Sequence, residues 1–427
     1  MKRLAIISSY HEACGIATYT ERLEPVFRNY YEVDVLRLET EVLKSNNTEL
    51  VSLGDSMINE IADKLRDYDY VNIQFEAGLY GASVQDVRRR IKILLDACKN
   101  VIVTFHSVNF EMPRLSLGML ISKHWLSNLR AHRNAKHWPA FYNWFIKEIK
   151  KVDMMPDRKA SIIVHDNKTR RYITRAYKFD HIYAHPLGLS SARERSIAQT
   201  EQEKTAFNSR YSIESGEKTI GVFGFVSEYK GHMTALKALR HLPDKYTLLI
   251  FGAQHPASIQ PFVPIDGYLD RLLNYIEECD AADQKSKKQF DARGNTVTKK
   301  HFSQRVQFVG DVNDEEFAQA MRCCDFVVLP YIEVKQMGSG IAALAIENHA
   351  RSIFSNTKCF QELQQFFPNC FSIFDIGNYL QLAYNIEHYN DCYADAIDQA
   401  LTIHNLEKNV QEYVDVFEGK AAASNDE

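Results

Sequence analysis

Short apolar runs rich in β-branched residues alternate with longer amphipathic stretches along the chain. This alternation predicts strands and helices in turn, and its repetition indicates parallel sheets with helices on both faces. Because the pattern occurs twice, we predict an α/β fold of two Rossmann-like, doubly wound parallel-sheet domains that face each other across a cleft. The predicted strands are 4–8, 33–38, 71–75, 101–106, 161–165, 182–187, 219–225, 246–252, 306–309, 326–331, 352–355 and 370–374.

The segment 190–217 contains few large apolar residues and is the best candidate for a linker. It separates an expected N-terminal domain at 1–198 from an expected C-terminal domain at 199–400. A helix at 401–418 follows, for which packing back on the N-terminal domain is one of two options. We expect 419–427 to be a disordered tail.

Composition and charge exclude several classes of protein. The 427 residues are 45% hydrophobic and 25% charged, which is typical of globular proteins, and a net charge of −4 argues against nucleic-acid binding. No stretch approaches the roughly 20 apolar residues that span a bilayer. Eight scattered cysteines without a Cys-x-x-Cys pair, and no export signal, favour a cytoplasmic protein. No cluster of histidines and carboxylates has metal-ligand spacing, so we expect no metal ion and no other cofactor.

Two glycine-marked turns in the second half have the features of an anion site. The first follows the strand 219–225 and contains Lys230, and the second precedes a predicted helix at 341–347. The small residues of the second turn are Gly338, Ser339 and Gly340. A helix start offers unpaired N–H groups and the positive end of the helix dipole, so the two turns and the lysine together suit a diphosphate. The alternative is a surface lysine and an ordinary serine-capped helix.

Two residues of the first half also lie where parallel strands open. His106 ends a buried strand, and a neutral imidazole both donates and accepts hydrogen bonds, although a purely structural histidine is the alternative. Gly15 follows the first strand and opens a helix. This position suits either the approach of a phosphate or an ordinary tight turn.

Five segments occur in an order that is characteristic of one known family. They are Cys14-Gly-Ile-Ala-Thr-Tyr19, Thr104-Phe-His-Ser107, His185-Pro-Leu-Gly188, Gly224-Phe-Val-Ser-Glu-Tyr-Lys-Gly231 and Gln336-Met-Gly-Ser-Gly-Ile-Ala-Ala-Leu-Ala-Ile-Glu347. The segment 308–312 matches a further loop of that family. On these residues the chain resembles the GT-B-fold glycosyltransferases over roughly 1–375. Within them it is similar to the large retaining, family 4-like group that includes bacterial mannosyl- and glucosyltransferases of surface polysaccharides.

The resemblance implies transfer of a hexose from a UDP- or GDP-linked sugar to a glycan or lipid-linked glycan, with retention of anomeric configuration. The donor is expected mainly on the second domain and the acceptor mainly on the first. The resemblance assigns Lys230 to the leaving diphosphate, Glu347 to the ribose hydroxyls, Val312 to the base and His106 to the transferred sugar. No catalytic base is required, because the leaving phosphate can take the proton of the acceptor.

Two positions depart from the family pattern. The family usually has an arginine five positions before the lysine, where this chain has Phe225. It usually has a second glutamate eight positions before Glu347, where this chain has Ser339, and Glu333 or Gln336 are candidates to replace it. These departures keep open a non-catalytic nucleotide-sugar-binding protein, and an epimerase or phosphorylase on the same architecture is the other alternative.

The insertion 109–152 is basic and contains all three tryptophans, Trp125, Trp138 and Trp144. Basic residues interleaved with aromatic ones suit peripheral contact with anionic lipid at the inner face of the membrane, or capture of a polyanionic acceptor. Packing of a helical subdomain on the sheet edge is an equal alternative.

Overall fold

The computed structural model describes residues 1–12, 14–111, 136–254, 259, 263, 265–285, 289–290, 296–297, 300–333, 336–391 and 393–421. Within them the chain forms two compact units, each built on a six-stranded parallel sheet flanked by helices. The predicted α/β class, with two domains built on parallel sheets, is therefore confirmed. Most of the predicted insertion, 112–135 with Trp125, and most of the predicted tail, 422–427, lie outside the described residues.

The first unit contains Met1–Ser191 and the segment that begins at His404. Its strands are β1 (Arg3–Ser8), β2 (Glu32–Arg37), β3 (Tyr70–Phe75), β4 (Asn100–Phe105), β5 (Lys159–Val164) and β6 (Ile182–Ala184). They lie in the order β2-β1-β3-β4-β5-β6. Its helices are Gly15–Phe27, Thr40–Leu43, Thr48–Lys64, Leu65–Asp67 (3-10), Ala77–Tyr80, Val84–Ala97, His137–Asp153, Asn167–Tyr177 and Leu406–Glu418.

Helices cover both faces of this sheet, because successive side chains of a strand point to opposite faces. Ala5 and Ile7 of β1 belong to a core that includes residues of the helices between β2 and β5. Thr104 of β4 points to the opposite face, where its hydroxyl lies 2.8 Å from the hydroxyl of Tyr413 in the last helix. The sheet is therefore doubly wound.

The last helix begins at Leu406 rather than at the predicted 401. Asn405 accounts for this start, because its Oδ1 accepts the N–H of Lys408 at 2.9 Å and caps the helix. Asn409 then donates to the carbonyl of Pro186 at 2.7 Å, in the turn after β6. These contacts fasten the C-terminal helix to the first unit.

The second unit contains Ala192–Val334 and Ser339–Ile403. Its sheet strands are β7 (Lys218–Phe223), β8 (Tyr246–Phe251), β11 (Val306–Gly310), β12 (Phe326–Leu329), β13 (Ser352–Ser355) and β14 (Ser372–Phe374). The short strands β9 (Gln289–Phe290) and β10 (Thr296–Val297) form a separate antiparallel pair. Its helices are Ala192–Arg195, Glu201–Arg210, Glu228–Lys230 (3-10), His232–His241, Gly267–Lys285, Phe302–Arg305 (3-10), Asp314–Cys323, Gly340–Glu347, Lys358–Phe366, Tyr379–Glu387 and Ala394–Ile403.

The strand order of the second sheet is β11-β8-β7-β12-β13-β14. The chain order therefore reverses between β7 and β12, which is the topological switch point of a doubly wound sheet. Connections leave β7 and β12 in opposite directions there and open a crevice at the carboxyl ends of the strands, where ligands bind in such folds. Both glycine-marked turns follow these two strands.

The segment 190–217, predicted to be a linker, is largely part of the second unit, which begins at Ala192. Glu201–Arg210 forms a helix that starts with a capping box, and its Lys204 ammonium lies 3.3 Å from the carboxylate of Asp325. The same carboxylate accepts the N–H of Thr219 in β7 at 2.7 Å. The segment is polar because it forms a solvated helix, and the ion pair between Lys204 and Asp325 connects that helix to the sheet.

Candidate functional site

The strand β7 ends at Phe223, two residues before its predicted end, because Gly224 has a φ of +100°. A Cβ at Gly224 would overlap the side chain of Ile341, in the first turn of the helix Gly340–Glu347. A Cβ at Gly252, just after β8, would overlap the carbonyl of Gly224. Glycines therefore allow two strand ends and a helix start to approach one another closely.

The first turn is held against the end of β12 by Gly231. Lys230 ends the 3-10 turn Glu228–Lys230, and Gly231 follows with a φ of +72°. A Cβ at Gly231 would overlap the carbonyl oxygen of Pro330. Only glycine fits here, and the close approach fixes Lys230 beside the residues that follow β12.

Lys230 is a buried cation, with only 6% of its surface exposed. Its Nζ donates to the hydroxyl of Tyr331 at 2.5 Å and lies 4.1 Å from the centre of the same ring. Desolvation lowers the pKa of Lys230 to about 7. Within the described part of the chain no carboxylate pairs with this ammonium, so the group is well placed to receive an anion.

The second turn ends in a helix start. Ser339 caps the helix Gly340–Glu347, since its Oγ accepts the N–H of Ala342 at 3.3 Å. Its hydroxyl lies 3.4 Å from that of Tyr331, which is the residue that also contacts Lys230. Sequence analysis missed Tyr331, because a tyrosine at a predicted strand end has the appearance of a core residue.

Gly338 has a different environment from Ser339. The segment with Met337 and Gly338 groups with the first unit, and Met337 belongs to the core of that unit. A Cβ at Gly338 would lie 3.1 Å from Leu187, which also belongs to the first unit. Close packing is therefore one reason for glycine at this position.

Glu347 is the last residue of the helix that Ser339 caps, and its surface is only 3% exposed. A carboxylate is buried among apolar residues only when other polar groups compensate it. Glu347 is seven positions after Gly340, so its Cα lies about 10 Å along the helix axis from the helix start.

The loop that contains Val312 follows β11. Gly310 ends this strand with a φ of +84°, and its carbonyl accepts the N–H of Gly252 at 2.7 Å. Val312 is half-buried. The hydrogen bond places the start of this loop at the same sheet edge as the two glycine-marked turns.

The two departures from the family pattern have different surroundings. Phe225 is half-buried in the turn after β7. Glu333 does not serve as an open carboxylate, because its Oε2 accepts the N–H of Lys358 at 2.9 Å, at the start of the helix Lys358–Phe366. Glu333 is therefore a weak replacement for the missing second glutamate.

In the first unit, His106 follows β4 directly and is part of a hydrogen-bond chain that sequence analysis missed. Asn72 donates to the carbonyl of Ile102 at 3.1 Å, so its Oδ1 must be the acceptor for Gln74 Nε2 at 2.6 Å. Gln74 Oε1 then faces His106 Nε2 at 2.7 Å. The only sequence signal was two amides, two residues apart, in an otherwise apolar strand.

The hydrogen bond to Gln74 fixes the tautomer of His106, because an amide oxygen can only accept a hydrogen bond. Nε2 carries the proton, and Nδ1 remains an acceptor. Desolvation lowers the pKa of His106 to about 3, so the ring is neutral at physiological pH even though it keeps some solvent exposure. A neutral imidazole of this kind binds hydroxyl groups and is a poor general base.

Two further histidines follow the next two strands. His165 comes after β5 and His185 after β6, and the ring of His165 lies 5.2 Å from that of His106 and 5.6 Å from that of His185. Burial, with the two neighbouring rings, lowers the pKa of His165 well below its usual value. Burial also lowers the pKa of His185 to about 4. Three neutral imidazoles therefore lie together at the carboxyl edge of this sheet.

Gly15 begins the helix Gly15–Phe27, after Cys14, which makes no side-chain cap. Among the described residues, and apart from its chain neighbours and its own helix backbone, no heavy atom would lie within 4 Å of a Cβ at Gly15. Crowding therefore does not account for glycine at this helix start.

The described part of the insertion 109–152 is the helix His137–Asp153 with its flanks. Trp138 and Trp144 pack against the core of the first unit, while Lys147 and Lys151 are exposed. No helix in the described ranges is both long and apolar enough to cross a membrane. Among the same residues, no group of three or more histidines, cysteines or carboxylates is arranged to hold a metal ion.

Solved structures with the same fold span nearly the whole chain. HepE from Anabaena, in complex with UDP, is 12% identical with a TM-score of 0.62, over 98% of this chain and 100% of that one. A glycosyltransferase from Rickettsia africae ESF-5 is 13% identical with a TM-score of 0.64, over 99% of each chain. WaaG, a glycosyltransferase involved in lipopolysaccharide biosynthesis, is 12% identical with a TM-score of 0.59, over 97% of this chain and 100% of that one.

These likenesses show that the chain has the fold of the GT-B glycosyltransferases. Sequence identities this low support a conclusion about the fold alone. No protein-family model matches the chain. No curated protein matches it in sequence either.

Proposed function

We propose that this protein is a retaining, metal-independent glycosyltransferase that uses a nucleotide-diphosphate sugar. It moves a hexose from a UDP- or GDP-linked donor to a glycan or lipid-linked glycan acceptor in surface polysaccharide synthesis. The single observation that carries the proposal is Lys230, a buried cation without a carboxylate partner in the described part of the chain, beside a serine-capped helix start at the switch point of the second sheet.

The chemistry follows from the charge that develops as the donor breaks. Cleavage of the bond between the sugar and the phosphate leaves negative charge on the departing diphosphate. A fixed ammonium and aimed N–H dipoles stabilise that charge better than mobile water does. Lys230 supplies the ammonium, and the helix start at Ser339 and Gly340 supplies the dipoles. These groups need no divalent ion.

The remaining donor contacts are assigned by position. Glu347 binds the ribose hydroxyls, because it lies about two helix turns beyond the helix start that is assigned to the phosphates. The loop around Val312 contacts the base. Gly338 and Gly15 let backbone approach the phosphates, and the open space around Gly15 supports that role.

His106 is assigned to the transferred sugar. Its Nδ1 accepts a hydrogen bond from a sugar hydroxyl, while Nε2 stays bound to Gln74. Because the pKa of His106 is about 3, the ring does not remove a proton from the acceptor at neutral pH. This supports a mechanism in which the leaving phosphate takes that proton.

The known complexes of related folds support the donor class. HepE has been solved with UDP, with UDP and glucose, and with UDP-glucose. WaaG acts in lipopolysaccharide biosynthesis, which supports a glycan of the cell surface as the acceptor.

Thermal unfolding in the presence of UDP- and GDP-linked sugars tests the proposal, followed by an assay of slow sugar release with the best ligand. A ligand at about 100 times its Kd stabilises the native state by roughly 2.7 kcal/mol, which raises Tm by several degrees. The ligand should stabilise the wild type and Lys237→Ala, but not Lys230→Ala. No stabilisation of the wild type by any nucleotide sugar would refute the proposal.

A non-catalytic nucleotide-sugar-binding protein is the second candidate, favoured by Phe225 and by the engagement of Glu333 as a helix cap. Binding without any turnover would favour it. An epimerase or a phosphorylase on the same fold is distinguished by its products, a changed sugar or a sugar phosphate.

The exposed lysines of the helix His137–Asp153 support a location at the inner face of the membrane, with peripheral contact through 109–152. Anionic lipid attracts such residues, and the attraction weakens as salt increases. The competing interpretation, structural packing, already accounts for Trp138 and Trp144.

A further inference from the structure

Tyr331 lies between the two glycine-marked turns, in a rigid setting. Its surface is 1% exposed, and its ring lies 5.2 Å from that of Phe360. Its carbonyl accepts the hydroxyl of Ser355 at 2.7 Å, which ties its backbone to the neighbouring strand β13. The phenol is therefore held by packing and by the sheet, independently of any ligand.

One hydrogen bond of this phenol has a fixed direction. An ammonium group only donates, so the Tyr331 oxygen accepts from Lys230 at 2.5 Å. The hydroxyls of Tyr331 and Ser339 lie 3.4 Å apart, and either of them can be the donor. The three side chains form a relay from Lys230 through Tyr331 to Ser339.

The relay decides where the remaining protons point. Ser339 Oγ also accepts the N–H of Ala342 at 3.3 Å, so when the phenol donates to it as well, its own proton is left to donate to a ligand. Lys230 uses one N–H on the phenol, and no carboxylate of the described residues takes the other two. A Cβ at Gly224 would lie 3.4 Å from the Lys230 ammonium, so the glycine keeps that side of the ammonium open.

We propose that Tyr331 is a positioning residue that links the two anion-binding turns and presents the Lys230 ammonium and the Ser339 hydroxyl to oxygens of one pyrophosphate. The inference deepens the proposed function and rests on it. A phenylalanine would fill the same space, so packing alone does not require the hydroxyl. A buried hydroxyl is costly unless it is hydrogen-bonded, and here both of its partners belong to the site.

Tyr331→Phe tests the inference, with UDP binding measured by calorimetry from pH 6 to pH 9. We expect about tenfold weaker binding at neutral pH, since hydrogen bonds to charged groups are among the stronger ones. The ammonium also loses its oxygen partner, so its pKa falls further below about 7 and binding weakens at a lower pH than in the wild type. Tyr246→Phe is the matched control, a buried tyrosine at the opposite end of the same sheet, and it should bind as the wild type does.

Ser339→Ala supplies a second route that does not depend on the folding of the tyrosine variant. It removes the hydroxyl that lies beside the phenol, so it should weaken binding and shift the pH profile in the same direction as Tyr331→Phe. Combining the two changes should cost less than the product of their separate effects, because they interrupt one relay.

The possible outcomes distinguish a failure of this inference from a failure of the proposed function. If the wild type binds neither UDP nor GDP nor their sugar conjugates, the proposed function fails. If the wild type binds UDP while both variants keep its affinity and pH profile, the nucleotide site stands and the positioning role of Tyr331 is refuted.

Discussion

Gln74 Oε1 accepts a hydrogen bond from Nε2 of His106 at 2.7 Å, and this contact decides the chemistry of the histidine. The amide orientation is set by Asn72, which donates to the carbonyl of Ile102 at 3.1 Å. The proton of the neutral ring is therefore fixed on Nε2. What the ring offers to a substrate is an acceptor nitrogen.

Gln74→Glu should change this state without changing the shape of the site. A carboxylate beside the ring favours the imidazolium, so the pKa of His106 should rise from about 3 toward its ordinary value. If sugar transfer requires the neutral ring, activity of the variant should fall as the pH drops through the new pKa, at acid pH values where the wild type stays active. NMR titration of the His106 ring measures the shift directly.

The change Gln361→Glu is the control, because it adds the same charge at an exposed position on a helix of the second unit. An unchanged titration of His106 in Gln74→Glu would show that the two side chains are not paired. A shifted titration with an unchanged pH profile of activity would show that the pair is structural.

The strands and the two glycine-marked turns could be predicted because their signals are local. β-Branched runs such as 101–105 identify strands directly, and Gly224 and Gly231 stand where the backbone takes a positive φ. The strand order needs pairings between distant segments, which local pattern does not contain. The switch point between β7 and β12 was therefore visible only in the structure.

The contacts that refine the candidate site are also non-local. Lys230 and Tyr331 are 101 positions apart, and His106 and Gln74 are 32 positions apart, so no spacing rule relates them. Local polarity was misleading at 190–217, where a solvated helix has the composition of a linker. Glu333 shows the same limit, because a carboxylate that caps a distant helix cannot be distinguished by sequence from one that binds a sugar.

Lys230→Met should abolish donor binding and yet stabilise the protein. The folded-state pKa of about 7 lies below the ordinary 10.5, so the unfolded chain binds more protons between these values. Wild-type stability should therefore rise with pH across this window, as the buried ammonium loses its charge. Below pH 7 the wild type has the full cost of burying a charged ammonium, roughly 2–5 kcal/mol at this degree of burial, and the variant does not.

Urea unfolding of wild type and variant at pH 6.5 and pH 9.5 measures the effect. The advantage of Lys230→Met should be largest at the lower pH and should shrink at the higher one. Lys237→Met changes a lysine on the following helix, His232–His241, and should show no such trend. A variant that is less stable than the wild type at both pH values would mean that Lys230 stabilises the fold and that its pKa is not depressed.

Gly231→Ala and Gly15→Ala should separate a structural glycine from a ligand-facing one. At Gly231 a Cβ would overlap the carbonyl of Pro330 and φ is +72°, so the unfolding free energy should fall by roughly 2–4 kcal/mol. At Gly15 the added Cβ meets no atom of a described residue outside its own helix start within 4 Å, so stability should stay within about 0.5 kcal/mol. Donor binding should nevertheless weaken in Gly15→Ala, because the methyl group occupies the space that a phosphate would enter.

Thermal unfolding gives the first comparison and calorimetry with UDP gives the second. Unchanged UDP affinity in a stable Gly15→Ala variant would favour the tight-turn interpretation of this helix start. Retained stability in Gly231→Ala would contradict the close approach of the first turn to β12.

Lys147→Glu with Lys151→Glu should release the protein from acidic vesicles, if the insertion contacts lipid. The two residues are four positions apart on the helix His137–Asp153, so they share one face, and both are exposed. Each lysine near an anionic surface contributes about 1 kcal/mol, so reversing both charges should weaken partitioning at least tenfold at low salt. Sedimentation with vesicles that contain phosphatidylserine, at increasing salt, measures the effect.

Lys64→Glu with Lys99→Glu makes the same change of net charge at two other exposed positions of the first unit and should leave partitioning near the wild-type level. If both double variants lose vesicle binding equally, the attraction comes from net charge and no particular surface contacts the membrane. If the wild type itself stays in solution at low salt, the helix His137–Asp153 is explained by packing alone, because Trp138 and Trp144 already bury its aromatic side against the sheet layer.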